Sequence, residues 1–369
     1  MEGKGEGKDL MLFAKKERLR EIFERLKSDY IIIAPKVING AILYDKVDNF
    51  DELPFGYRDY QKAGYYRLEK LDTKEFFTYT HPVNSIKSFI HPPELTFMRM
   101  EKKETKVKFS YDLPKGKYAF FDVRACDLKS LKILDEVFMD KNIFPDPYYK
   151  SLRDDIFVVA VNCTYATDVC FCDTLSSGPE AKEGFDLCLT EIEEGFLVEV
   201  GSERGAKLLE GIYLEEADDD KSSKKQEKIN SLKVRKEVLP EDLPQRLYSA
   251  MEHPFWDEVA KRCLACANCT QVCPTCFCFD ILEVNDIDLN RSCRVRVWDS
   301  CFSPSFATLH KFNLRESIMS RYRQWLMHKF AYWIDQFGTF GCVGCGRCVT
   351  WCPVGIDLLE SVKSLLKEG

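Results

Sequence analysis

The chain has 369 residues, 45% of them hydrophobic, a net charge of -7 and a pI near 5.5. That length allows two or three domains with cores of their own. The acidic balance argues against a nucleic-acid partner, which needs a surface of lysines and arginines, and no apolar run approaches the roughly 18 residues of a membrane span.

The start, "MEGKGEGKDL", has no apolar stretch of the export type, so a cytoplasmic location is expected. Its G-x-G-x-G string, Gly3 to Gly7, follows no strand and is not a dinucleotide fingerprint. Residues 1–105 are expected to form an α+β region. Residues 106–215 read as α/β: "KYAFFDV" (117–123) as a buried strand, "DLKSLKILDEVF" (127–138) as an amphipathic helix and "DIFVVAVN" (155–162) as a second buried strand. In such a βαβ unit the parallel strands end at one sheet edge, where sites gather. Cys126 follows the first strand, Cys163 the second, and "ATDVCFCD" adds Cys170 and Cys172. Four thiols at one edge are hard to explain as packing alone. They are expected to hold a 4Fe-4S cluster, third to the two argued below, against the alternative of buried unligated cysteine. Cys188, in the strand-like "FDLCLTEI", reads as core.

Residues 216–246 read as a charged linker, since "EADDDKSSKKQEKINSLKVRK" (216–236) alternates charge with almost nothing apolar. Residues 247–369 hold most of the 17 cysteines, and an odd count cannot pair entirely within a chain. A reducing cytosol keeps thiols free, so metal binding is the leading account. Cys263, Cys266, Cys269 and Cys273 follow C-x2-C-x2-C-x3-C-P, and Cys342, Cys345, Cys348 and Cys352 repeat it, closing on Pro274 and Pro353. This is the run of bacterial 4Fe-4S ferredoxins. Three cysteines two residues apart wrap one face of a cubane, while the fourth points away and ligates the other cluster. One cluster is therefore assigned to Cys263, Cys266, Cys269 and Cys352, the other to Cys342, Cys345, Cys348 and Cys273. Zinc favours separated pairs and suits two unbroken runs poorly.

Between the runs, Cys276, Cys278, Cys293 and Cys301 have no assigned role; Cys276, Cys278 and Cys301 are expected to pack beside the first cluster, with a redox-active site as the alternative. "LRESIMSRYRQWLMHKFAYWIDQF" (314–337) carries an apolar band at helical steps, with Asn313 as its cap and Gly338 and Gly341 at its end. An all-helical ferredoxin-like domain is expected, similar to the cluster-bearing half of succinate dehydrogenase iron-sulfur subunits. Arg321, Arg323 and Lys329 are read as a solvated face or as a docking surface for an acidic partner. His81, His91, His253, His310 and His328 are scattered without ligand spacing and read as structural. No Walker motif, nucleophile elbow or adjacent cysteine pair occurs, so no catalytic residue is expected, and electrons must enter and leave through other subunits.

From "YIIIAPKV" near residue 30 to "CVGCGRCVTWCPVGIDLLE", the chain resembles the beta subunits of sulfhydrogenases, cytoplasmic NiFe hydrogenases, and is similar to the equivalent subunit of anaerobic sulfite reductase. "DVRACDLKSLKILDEVF", "NCTYATDVCFC", "GPEAKEGFDLCLTE", "CANCTQVCPTCFCFD", "WDSCF" and "RYRQWLMHKF" carry the resemblance. It implies an electron-transfer iron-sulfur subunit with no flavin or NAD(P) of its own. Its partners would be a gamma-type subunit holding FAD, a 2Fe-2S centre and the NAD(P)(H) site, and the hydrogenase small and large subunits. The same wiring in a sulfite reductase or other flavin-linked reductase is the alternative, and a zinc-stabilised scaffold subunit is a further one. The family commonly has Pro where this chain has Ala125.

Overall fold

The computed structural model describes residues 11–114, 116–140, 144–288 and 290–367; the Gly3 to Gly7 string lies outside them. In chain order the strands begin with β1 (Leu12–Lys15), β2 (Ile31–Ile38), β3 (Ala41–Lys46), β4 (Tyr57–Lys62) and β5 (Tyr65–Lys70). They continue with β6 (Glu94–Lys103), β7 (Lys106–Ser110), β8 (Tyr118–Val123), β9 (Phe157–Val161) and β10 (Leu187–Ile192). After these come β11 (Gly195–Val200), β12 (Glu215–Glu216), β13 (Phe279–Asn285) and β14 (Arg291–Trp298).

Eight strands form one sheet in the order β12-β1-β11-β10-β9-β8-β2-β3. Its centre, β2, β8, β9 and β10, is parallel, and the flanking pairs are antiparallel. The central strands are nearly continuous apolar runs because both faces are covered. Phe121, Val159 and Leu189 face a core shared with Leu19, Ile22, Phe23 and Leu26 of the helix Arg18–Asp29, whose apolar positions recur at three- and four-residue steps. Phe120, Val158, Ala160 and Cys188 face the other way, against Leu128, Leu131 and Leu134 of the helix Ala125–Asp135. The expected βαβ unit is thus present, and Cys188 lies in the core. The sheet draws strands from both sides of residue 105, so the expected division there crosses a single folded unit.

A third core lies in the C-terminal part, where Trp256 and Val259 of Phe255–Arg262, Leu326 of Ile318–Met327 and Leu359 and Val362 of Leu358–Leu365 meet. The helix expected over 314–337 begins at Ile318, capped by Ser317, whose side chain accepts from the Ser320 N–H. Asn313 sits instead in a two-residue strand, Phe312–Asn313. A π-type turn, His328–Tyr332, interrupts the helix before it ends at Gly338 in left-handed backbone.

The segment between the cysteine runs is not all helix. β13 and β14 form a four-stranded antiparallel sheet with β6 and β7, in the order β13-β14-β6-β7. "RVRVW" alternates with a period of two, which is the strand signal. The charged segment 216–246 also differs from a free linker. It contains the helix Asp219–Asn230, held to the sheet by Lys225, which lies 2.8 Å from both Glu180 and Glu199, and by buried Ile229. Beyond it, the Arg235 N–H donates to Cys170 O at 3.0 Å, and the Arg235 guanidinium pairs with Asp357 and Glu360. No helix among the described residues is long and apolar enough to cross a membrane.

Candidate iron-sulfur sites

Each cysteine run is a loop followed by one helical turn. In the first, Ala265 and Ala267 adopt left-handed backbone (φ 50° and 65°) before Asn268–Gln271. In the second, Gly344 and Gly346 occupy the same places (φ 61° and 82°) before Arg347–Thr350. The Ala265 N–H donates to Cys263 Sγ and the Gly344 N–H to Cys342 Sγ, each at 3.4 Å. Repeated sequence has produced repeated backbone, with N–H groups turned toward sulfur, where they favour the thiolate.

The fourth cysteines cross over. A pocket at the first run is bordered by Cys263, Cys266 and Cys269 together with Cys352 of the second, and Cys348 also touches it. Cys263 feels the charge of Cys352 and Cys266. Cys342, Cys345 and Cys348 all feel that of Cys273. Burial pushes Cys342 up to about 12 and Cys345 to about 11, and raises Cys269 and Cys348 well above the usual thiol range. A buried thiolate therefore needs positive charge beside it, which bound iron supplies. Cys273 is the exception: a hydrogen bond from Cys276 and the nearby Lys329 bring it well below its ordinary value despite burial. Among the described residues no three of the Cys, His, Asp or Glu donors converge on a single-ion site. The donor set is soft and widely spaced, which fits a polynuclear cluster better than one tetrahedral zinc with bonds of about 2.3 Å.

Two buried lysines stand at the second run. Lys329, in the π-type turn, donates to Cys273 Sγ, Thr275 Oγ1 and Gly341 O, each at 3.2 Å. Lys87 donates to Cys276 O at 3.0 Å and lies 3.8 Å from the centre of the Trp298 ring. Burial lowers Lys87 to about 8, whereas in Lys329 the charges of Cys273, Cys276 and Cys342 outweigh burial and raise the ammonium well above its usual range. The solvated face or docking surface expected from Arg321, Arg323 and Lys329 is overturned. Arg321 is buried and donates to the carbonyls of Arg315, Phe302 and Glu316, Arg323 is partly buried and donates to Met251 O, and Lys329 faces sulfur. The π-type turn adds a residue to one turn and so redirects the faces after it.

At the edge of the large sheet, Cys126 opens the helix Ala125–Asp135 and Cys163 follows β9. Cys172 feels the charge of both Cys170 and Cys163, and Cys126 that of Cys345 and Cys172. These four thiols gather where the sheet meets the second run. Arg124 beside Cys163 is fully buried; its Nε lies 3.0 Å from Asp122 Oδ1, but its Nη1 has no hydrogen-bond partner among the described residues. A buried donor of this kind is costly unless an acceptor meets it, and cluster sulfur is such an acceptor.

Residues 262–356 match the family model described as a 4Fe-4S dicluster domain. Over 360 residues the chain is 31% identical to sulfhydrogenase 2 subunit beta of Pyrococcus furiosus, with 96% of this chain and 97% of the relative covered. The chain belongs to the sulfhydrogenase beta-subunit family. No solved structure matches it. In this member of the sulfhydrogenase beta-subunit family, motif spacing identified the cysteines but not the groups that support them. Arg347, inside the second run, forms a two-pronged ion pair with Asp127, the residue after Cys126, at 2.8 Å for both bonds, and both side chains are fully buried. Nothing in the spacing of Asp127 and Arg347 announced that contact; Lys329 stood out as a charge on a helix, which in sequence looks the same as one that faces solvent.

Proposed function

We propose that this chain is the electron-transfer iron-sulfur subunit of a multisubunit NiFe hydrogenase of the sulfhydrogenase type. The observation that carries the reading is the pocket bordered by three cysteines of one run and the fourth of the other, which is the ligand exchange a dicluster relay needs. Cys263, Cys266, Cys269 and Cys352 would hold one 4Fe-4S cluster, and Cys342, Cys345, Cys348 and Cys273 a second. Cys126, Cys163, Cys170 and Cys172 would hold a third, a reading supported by their gathering and by the orphan Arg124 donor. Such clusters supply one-electron storage when bound. The chain's own part is to fix their ligands, shield the inner sites from water and leave Cys266 exposed at the surface. In this reading a gamma-type flavin and NAD(P) subunit stands on one side of the relay and the hydrogenase small and large subunits on the other.

Iron and acid-labile sulfide counts on the purified full-length chain test the cofactor content. About twelve irons per chain are expected, on four per cubane, and about eight would remove the third site. Zinc in place of iron would end the redox reading altogether. Co-purification with NiFe hydrogenase subunits is expected; recovery with a sirohaem subunit instead would move the chain to a sulfite-reducing complex.

A further inference from the structure

A buried cation normally has an anion beside it, because desolvating an unpaired charge is expensive. Lys329 and Lys87 are both buried, and neither has a carboxylate ion-pair partner among the described residues. What they face instead is sulfur and backbone: Lys329 reaches Cys273 Sγ directly, and Lys87 reaches the Cys276 carbonyl one step behind it. Both ammonium groups are within the electrostatic range of Cys273 and Cys276. The other run has no such arrangement; its Cys266 is exposed, and solvent is available to stabilise added charge. The inner cluster position lacks that solvent, since Cys345 and Cys273 are buried.

Adding an electron to a cluster makes an already anionic group more negative, and burial opposes that. Net charge, hydrogen bonds to sulfur and solvent exposure are the terms that set cluster potentials. A lysine donating to a ligand sulfur supplies the first two where the third is missing.

We propose that Lys329 is a positioning residue that sets the reduction potential of the cluster containing Cys273, with Lys87 adding to the same field, and that this keeps the buried cluster reducible from the exposed one. The proposal rests on the crossed ligand assignment above, and its test separates the two.

The full-length chain is titrated electrochemically with detection by EPR, using Cys342→Ser to identify the signal that belongs to the second run. Lys329→Met is expected to shift that signal's midpoint downward and leave the other unmoved. Lys329→Arg should stay near the wild-type value, and Lys87→Met should shift it in the same direction by less. If Lys329→Met moves only the signal that survives Cys342→Ser, tuning by Lys329 stands and the crossed assignment falls. If it moves neither while iron content is unchanged, the tuning proposal is overturned and the crossed assignment is untouched. Should Lys329→Met fail to assemble its cluster, the wild-type chain labelled with 15N-lysine decides. Pulsed EPR of the reduced protein should then show a 15N coupling on the second-run signal, and its absence overturns the proposal.

Discussion

Ala265 and Gly344 occupy equivalent places in two copies of one motif, with the same left-handed backbone, yet they are different residues. The reason is what lies opposite. A Cβ on Gly344 would sit 2.5 Å from Phe171 O, and one on Gly346 2.4 Å from Val169 O, so the second run can lie against the 169–171 loop only without side chains there. The first run carries alanines at both places and accepts the strain of left-handed backbone, on the order of 1–2 kcal/mol for a residue with a Cβ. Gly344→Ala should therefore destabilise the protein by about 2–4 kcal/mol, combining that strain with displacement of the Phe171 carbonyl. Ala265→Gly should change stability by less than about 1 kcal/mol, since relief of strain offsets the added freedom of the unfolded chain. Urea denaturation of the two variants checks this, and equal losses would show that the close approach to Phe171 does not matter.

At the scale of elements, the two runs were legible because cluster ligation fixes spacing, and spacing is written in the sequence. Their crossing implies a specific result. Cys352→Ser should perturb the cluster whose other ligands are Cys263, Cys266 and Cys269, more than eighty residues upstream, and spare the one beside it. EPR of the reduced variant reads this directly, and loss of only the neighbouring signal would refute the exchange. The elements between the runs were less legible. A strong helical period over 318–337 outweighs the short alternation of "FDILEVN" and "RSCRVRVW", whose partners β6 and β7 lie nearly two hundred residues earlier. Strand pairing at that separation leaves only alternation as a local trace. In the same way the helix Asp219–Asn230 is almost wholly polar, and what holds it is pairing of Lys225 with Glu180 and Glu199 from the sheet side.

For the whole molecule, the α/β part and the dicluster part are fastened together at the cysteines. Phe171 N donates to Gly344 O at 2.8 Å, Ser177 Oγ donates to Val343 O at 2.6 Å, and Arg347 from one part meets Asp127 from the other. The Arg347–Asp127 pair is worth little as a net gain over an apolar pair, because desolvating both charges is costly. Breaking it is another matter, since the remaining charge is stranded. Asp127→Asn should cost about 3–5 kcal/mol, while Asp127→Asn combined with Arg347→Met should recover part of that loss. Denaturant midpoints of the single and double variants measure the difference. A loss under about 1 kcal/mol in the single variant would mean that the pair does not fasten the two parts.

The sequence by itself determined the two four-cysteine runs, the parallel βαβ unit and the core position of Cys188. Each of these depends on short-range spacing or on periodicity within one element. Tertiary structure alone decided that Lys329 turns inward to Cys273, that Arg347 finds Asp127, that the segment between the runs contributes strands, and that the charged stretch at 219–230 is a docked helix. Those outcomes depend on partners far away in the chain, and a charge or a strand edge looks the same in sequence whether water or another residue meets it.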